Sequence, residues 1–225
     1  MTGVALAEEL LLLAYDDESG KATGSRIGLD LGMAAGVLVE LALAGRVAYD
    51  NGSIVVSDPA PTGNPITDEV LGRMAGDGPL PPASWVQRLR HGLRDRILAG
   101  LVGRGVVRDV DETALGHIHV HRYPAVDATV ETEIRGRLAV ALTGEQVPDE
   151  RTAALAALVA ASRMEPSLGL SGAALADAHR RLAEIAGGAG FTGEVSLEES
   201  TVRPSVALVI EALASAIDAA LGARR

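Results

Sequence analysis

Residues 27–56 read IGLDLGMAAGVLVELALAGRVAYDNGSIVV, and this stretch decides the fold class. The nearly continuous apolar run over residues 27–44 predicts a helix that ends near Gly45. Two short β-prone runs follow, with Asn51-Gly52 between them. Because both central positions of a type I′ turn need a positive φ, Asn-Gly predicts a hairpin at this point.

The apolar run over residues 27–44 is predicted to be a buried helix and not a membrane span. Acidic residues interrupt it, which a bilayer would oppose. Gly28, Gly32 and Gly36 lie four residues apart, so they share one helix face and allow a neighbouring helix to approach closely. These glycines do not follow a strand and lack the Gly-Lys-Ser/Thr ending of a phosphate loop, so we expect no nucleotide site.

Helical periodicity and turn residues place further elements on both sides of this stretch. The other predicted helices cover residues 4–14, 66–74, 85–103, 127–142, 149–163, 171–186 and 204–222. Ser84 is predicted to cap the helix over 85–103. A second hairpin is predicted from Val106-Val107 and the run 118–121, with the acidic residues between them in its long turn.

These elements predict a mainly α fold, with about eight helices and one or two small β-hairpins in a single helical domain over residues 1–225. The chain is 48% hydrophobic, which is enough to bury a substantial core. Zero cysteines exclude disulfides and thiolate chemistry. We expect no secretory signal, because the N-terminus lacks a basic start followed by a small-residue cleavage site.

Charge and aromatic content argue against nucleic acid as a partner. The formal net charge is −10, which opposes nonspecific attraction to polyphosphates and anionic membranes, so any such contact must be local. Only 2% of residues are aromatic, so platforms for base stacking are essentially missing. We therefore expect no nucleic-acid partner.

No catalytic constellation is recognisable in the sequence. It contains neither a Gly-x-Ser-x-Gly nor a Ser-x-x-Lys nucleophile motif. The paired acids Glu8-Glu9 and Glu198-Glu199 stand in polar contexts, which predicts solvated surface. We therefore expect a protein that is not an enzyme and that carries no cofactor.

Three alternating histidines, His117, His119 and His121, form the one candidate metal site. On a strand their imidazoles share one face, and two or three of them could reach one zinc ion. The local pattern supplies no acidic fourth ligand, and the polar face of an exposed hairpin gives the same alternation, so we predict no metal site. A hairpin that gains charge near pH 6 is the remaining alternative.

The densest positive charge of this acidic chain lies on the predicted helix over residues 85–103. It comprises Arg88, Arg90, His91, Arg94 and Arg96. At about 100° per residue, Arg90 and Arg94 lie about 40° apart, with His91 beside them. Arginine forks match phosphate oxygens, so an anionic headgroup is the natural ligand. The alternative is a solvated helix flank whose arginines pair with surface acids.

In order along the chain, several segments resemble the Golgi phosphoprotein 3 family, and the resemblance extends from about Val4 to Leu221. The similar segments are EELLLL at 8–13, VLVELALAGRV at 37–47, PTG at 61–63 with Asp68-Glu69, LRDR at 93–96, LVGRGVV at 101–107 and the aliphatic C-terminal helix. The resemblance implies a mostly helical, non-enzymatic peripheral membrane adaptor that binds phosphatidylinositol 4-phosphate. It also implies a projecting hairpin, at about 106–123 here, that supports homo-oligomerisation and membrane contact.

The headgroup pocket of that family uses a tryptophan and three arginines, and this sequence matches the pocket at Arg94 alone. Ser25 stands at the tryptophan position, and Ala34 and His91 stand at the other two arginine positions. The matched position thus makes Arg94 the first candidate for headgroup binding.

Arg26 and Arg90 are candidates to compensate for the missing pocket arginines, so the predicted headgroup site is Arg94, Arg90, His91 and Arg26. The resemblance predicts a cytoplasmic protein that lies at the inner membrane surface, with an anionic phospholipid headgroup and a protein as partners. A protein-interaction scaffold that has lost the phosphoinositide pocket is the alternative.

Overall fold

Helix α2 (Arg26–Leu43) forms the centre of the fold, as the opening stretch of sequence predicts. It packs against helices from both halves of the chain. Its side chains Ala34, Ala35 and Leu38 are fully buried, so the nearly all-apolar sequence reflects a helix surrounded by protein.

The computed structural model describes residues 3–16, 19–114, 118–144, 146–188 and 203–222. Besides α2, the elements are α1 (Leu6–Leu13), β1 (Val47–Asp50), β2 (Ser53–Val56), α3 (Pro65–Asp77), α4 (Pro82–Leu89), α5 (Leu93–Gly103), β3 (Val110–Ala114), β4 (Ile118–Arg122), α6 (Thr129–Thr143), α7 (Glu150–Ala161), a short 3-10 helix (Glu165–Leu168), α8 (Gly172–Gly188) and α9 (Pro204–Gly222). Over these residues the predicted fold class, mainly α with two small antiparallel hairpins, is confirmed.

The glycine stripe of α2 is a packing surface, as predicted. A Cβ atom built on Gly28 or Gly32 would lie closer than 3.0 Å to atoms of Ser162, which follows α7. A Cβ on Gly36 would lie 3.1 Å from the backbone nitrogen of Ala7 in α1. The bare backbone therefore lets α1 and the end of α7 approach α2 closely.

The first hairpin also forms where the sequence predicts it. Asn51 and Gly52 have φ values of 46° and 83°, and Asp50 pairs with Ser53 across the turn. Asn and Gly tolerate this left-handed backbone, which explains why the turn stands at this point.

The prediction of one helix over 85–103 capped by Ser84 is wrong. The segment forms two helices, α4 and α5, and Ser84 lies inside α4, which begins at Pro82. Gly92 separates the helices with a φ of 70°, a left-handed conformation that glycine adopts at no steric cost. The described part of the chain therefore contains nine α-helices, one more than predicted.

The second hairpin is real, but its first strand starts later than predicted. Strand β3 begins at Val110 and pairs with β4, so Asp111 and Glu112 lie on a strand and not in a turn. Val107 is buried and bridges Ala125 instead, because it belongs to the base of the hairpin, where the chain returns to the core.

The prediction that Glu8-Glu9 is solvated surface is wrong, since these side chains are only 3% and 2% exposed. Glu8 accepts a hydrogen bond of 2.8 Å from the backbone N–H of Ala5 and pairs with Arg104 at 2.8 Å. The second acidic pair, Glu198-Glu199, lies outside the described residues.

Glu9 belongs to a largely buried ion network that joins four helices, α1, α2, α6 and α7. Its carboxylate pairs with Arg137 of α6 at 3.0 Å and with Arg151 of α7 at 2.9 Å. Arg151 also pairs with Glu40 of α2 at 2.9 Å. Burial raises the pKa of Glu9, which the two guanidinium groups oppose. Burial acts to lower the pKa of Arg151, but its contacts with Glu40 and Glu9 outweigh burial and raise that pKa.

In the described part of the chain, one helix is long and apolar enough to cross a membrane, by length and composition only. It is α9 over Ser205–Gly222, of which a third is buried. Its apolar side contacts α2, α4 and α7, and side chains such as Val209 and Leu213 are fully buried there. Helix α9 therefore packs one face against the domain and leaves the other exposed.

Candidate anion-binding site at the start of helices α2 and α5

The first turn of α2 carries a cation where a helix usually favours an anion. Ser25 caps the helix by accepting a hydrogen bond of 3.1 Å from the N–H of Gly28. Arg26 follows at the first helical position, with no acidic residue in that turn. Since the N-terminal end of a helix is already electropositive, Arg26 strengthens a positive field that attracts anions.

Arg94 reaches this turn from the start of α5. One of its terminal nitrogens, Nη2, donates to the backbone carbonyl of Arg26 at 3.1 Å. The same nitrogen lies 2.8 Å from a carboxylate oxygen of Asp30, one turn along α2. Arg94 and Arg26 are therefore brought together, although they lie far apart in the sequence.

The other two predicted site residues stand at the turn between α4 and α5. Arg90 ends α4, has no ion-pair partner and keeps a buried Nε without a hydrogen bond. His91 is exposed at the same turn. The predicted angle of about 40° between Arg90 and Arg94 assumed that both lie on one helix. Gly92 separates the two helices, so this angle does not apply. No described contact joins Arg90 or His91 to Arg26.

The remaining arginines of this segment are paired with acids of α3. Arg88 pairs with Asp77 at 2.9 Å, and Arg96 pairs with Glu69. The alternative of a helix flank paired to surface acids is thus what the structure shows for Arg88 and Arg96.

Tyr15 lies near the candidate site and contacts Tyr123, and no sequence pattern points to either tyrosine. The rings of Tyr15 and Tyr123 meet edge to face with centroids 6.0 Å apart. Burial raises the pKa of the Tyr15 hydroxyl, while Arg94 and Arg26 act to lower it, so Tyr15 lies within the field of both arginines. Helical and strand periodicity relate only residues that are close in the sequence. Tyr15 and Tyr123 are far apart, so no such pattern predicts their contact.

A small cavity lies next to the candidate site. Beneath Tyr15 and Tyr123, beside Val107, lies a cavity of about 10 Å³. That volume holds about one water molecule. The cavity is therefore too small to hold a phospholipid headgroup.

Five basic side chains form no ion pair with any described residue, and some of them lie near the candidate site. Among the residues that the structure describes, those that form no ion pair are Lys21, Arg26, Arg73, Arg90 and Arg108. Arg73 lies apart on α3. Lys21 and Arg108 lie on backbone segments that hydrogen-bond to residues 123–124. Lys21 and Arg108 therefore lie close to Tyr123, and the acid Asp95 lies in the same neighbourhood.

The hairpin beside the site carries paired histidines. His119 lies 3.0 Å from Asp111, and His121 lies 2.8 Å from Asp109. The hydrogen bond with Asp109 raises the pKa of His121. His117 lies outside the described residues, and within them no group of three or more His, Asp and Glu side chains is placed to hold a metal ion.

Comparison with known proteins gives one family. The family model described as Golgi phosphoprotein 3 (GPP34) matches residues 6–220, nearly the whole chain. No curated protein matches the chain.

Proposed function

We propose, given that the chain belongs to the Golgi phosphoprotein 3 family, that it is a non-enzymatic peripheral membrane adaptor that binds an anionic phospholipid headgroup. It acts in the cytoplasm at the inner membrane surface. Arg94 contacts the phosphate, and Arg26 adds positive charge beside it. Arg90 and His91 stand at the turn that precedes α5 and, on this proposal, assist from there.

The observation that carries this proposal is the position of Arg94 over the first turn of α2. Its Nη2 donates to Arg26 O, while no hydrogen bond is made by its other terminal nitrogen, Nη1. Two helix N-termini, those of α2 and α5, meet at this point, and both carry an arginine in the first turn. Phosphate oxygens suit this combination of a guanidinium fork and electropositive helix ends.

Charge distribution supports the same assignment. A chain with a net charge of −10 is repelled by an anionic bilayer unless one side is locally positive. On this proposal, the unpaired Arg26 supplies positive charge at the start of α2, and Lys21 and Arg108 add to it from neighbouring segments. Each cation near an anionic membrane surface contributes about 1 kcal/mol of attraction.

Vesicle flotation tests the proposal. Wild-type protein is mixed with phosphatidylcholine vesicles alone, or with vesicles that also contain phosphatidylserine or phosphatidylinositol 4-phosphate. We expect flotation with the anionic vesicles only, and its loss in Arg94→Ala. Release of bound protein by inorganic phosphate at constant ionic strength would show that phosphate alone fills the site. Equal flotation by wild type and Arg94→Ala would refute the assignment.

A protein-interaction scaffold is the second candidate, and it has its own supporting observation. Arg94 is already paired with Asp30, and the cavity beneath the tyrosines is too small for a headgroup. If the wild type fails to float with every anionic vesicle while it still binds a protein partner, this second function is favoured.

A further inference from the structure

We infer that Asp30 is an internal competitor of the ligand: its carboxylate holds Arg94 when no anion is bound, and a phosphate has to displace it. This inference rests on the proposed role of Arg94. It assigns to Asp30 control over how tightly the anion is held.

Arg94 and Asp30 form an ion pair of 2.8 Å that is mostly buried. The Arg94 side chain is 11% exposed and the Asp30 side chain 25% exposed, so the pair is largely shielded from water. Shielding strengthens the attraction between opposite charges relative to an ion pair in open solvent. The same nitrogen of Arg94 also donates to the carbonyl of Arg26, so we expect one contact of the guanidinium to remain if the carboxylate is neutralised.

The pairing of Arg94 with Asp30 determines the charge that an approaching phosphate meets at the site. Asp30 cancels the charge of Arg94, so an approaching phosphate meets Arg26 as the nearest uncompensated cation. Asp95 lies in the same neighbourhood, since its charge acts to raise the pKa values of Tyr15 and Tyr123. Asp95 forms no ion pair with any described residue. Neutralising Asp30 therefore frees Arg94, whereas neutralising Asp95 changes only the local field.

The chain provides two matched controls for this distinction. Asp95→Asn removes the same charge beside the site without touching the partner of Arg94. Asp77→Asn also removes one negative charge and frees an arginine, Arg88, but that pair is about half exposed and lies on α3 and α4. All three variants have the same net charge, so bulk attraction to the membrane is equal among them.

The experiment compares the affinities of wild type, Asp30→Asn, Asp95→Asn and Asp77→Asn for phosphatidylcholine vesicles that contain phosphatidylinositol 4-phosphate. We expect Asp30→Asn to bind about fivefold more tightly than Asp77→Asn, as one additional free cation near an anionic membrane predicts. Binding by Asp30→Asn where wild type does not bind would support the inference most strongly. Thermal unfolding confirms that each variant is folded, and Asp30→Ser replaces Asp30→Asn if the amide destabilises the domain.

Two results would overturn the inference. Equal gains in all three variants would mean that only net charge matters, and weaker binding by Asp30→Asn would mean that the carboxylate positions Arg94 for its ligand. In both cases the loss of binding in Arg94→Ala would leave the proposed function standing. If neither wild type nor Asp30→Asn binds any anionic vesicle, the proposed function itself fails, and the inference fails with it.

Discussion

Replacement of Gly28 by alanine should destabilise the domain, because Gly28 allows α2 to pack on the end of α7. A Cβ at this position would lie closer than 3.0 Å to the backbone oxygen of Ser162, and a backbone atom cannot rotate away as a flexible side chain can. Overpacking of this kind costs about 1–3 kcal/mol, and contact with backbone places Gly28 at the upper end. Alanine regains up to about 1 kcal/mol through its better helix propensity. We therefore expect a net loss of about 2 kcal/mol.

Gly72 provides the matched control. It lies inside α3, and a Cβ added there meets nothing within 4 Å. Gly72→Ala should therefore stabilise the protein by up to about 1 kcal/mol. The two variants carry the same substitution within helices, Gly28 in the first turn of α2 and Gly72 in the middle of α3, so the expected difference of about 3 kcal/mol between them comes mainly from the steric contact.

Urea unfolding followed by tryptophan fluorescence measures both free energies. Trp85 is the single tryptophan and is fully buried, so its emission reports loss of the core. If Gly28→Ala unfolds at the same urea concentration as wild type or Gly72→Ala, the close packing of α2 on Ser162 is refuted. The packing matters to function as well, because it fixes the start of α2, where Arg26 meets Arg94.

Two further predictions concern charged groups. Arg151→Ala should lower the free energy of unfolding by about 3 kcal/mol in the same urea assay, because it leaves the buried Glu9 with one partner. A loss below about 1 kcal/mol, as small as that of an exposed ion pair, would contradict the network. Asp109 raises the pKa of His121, so the pair of protonated His121 and Asp109 stabilises the hairpin at pH values below the ordinary histidine pKa of about 6.5. This contribution to stability is lost as the pH rises through the raised pKa. An NMR titration should show the His121 midpoint above that value in wild type and lower in Asp109→Asn, whereas an unchanged midpoint would count against the pairing.

The parts of the fold that the sequence predicted correctly depend on local signals. The glycine spacing of α2 and the Asn51-Gly52 turn are each read within a few residues, and both are confirmed. The break at Gly92 was missed because Leu89, Leu93 and Ile97 keep an apolar stripe across it, and a single glycine is tolerated in a helix.

The burial of Glu9 could not be predicted, because its compensating partners come from α6 and α7. A carboxylate is almost never fully buried without a partner, and here the partners are distant in sequence. The same reason hides the Arg94–Asp30 pair and the Tyr15–Tyr123 contact. The sequence identified Arg94 as a candidate, but only tertiary structure shows which groups surround it.

The most direct test of the central claim is the affinity of Arg94→Ala for anionic vesicles, measured beside Arg96→Ala. Each substitution removes one cation of α5 and frees one acid, Asp30 or Glu69, so bulk charge effects cancel. A hydrogen bond to a charged group contributes about 1.5–3 kcal/mol, so we expect Arg94→Ala to bind at least about tenfold more weakly while Arg96→Ala stays close to wild type. Equal affinities of the two variants would contradict a headgroup site at Arg94.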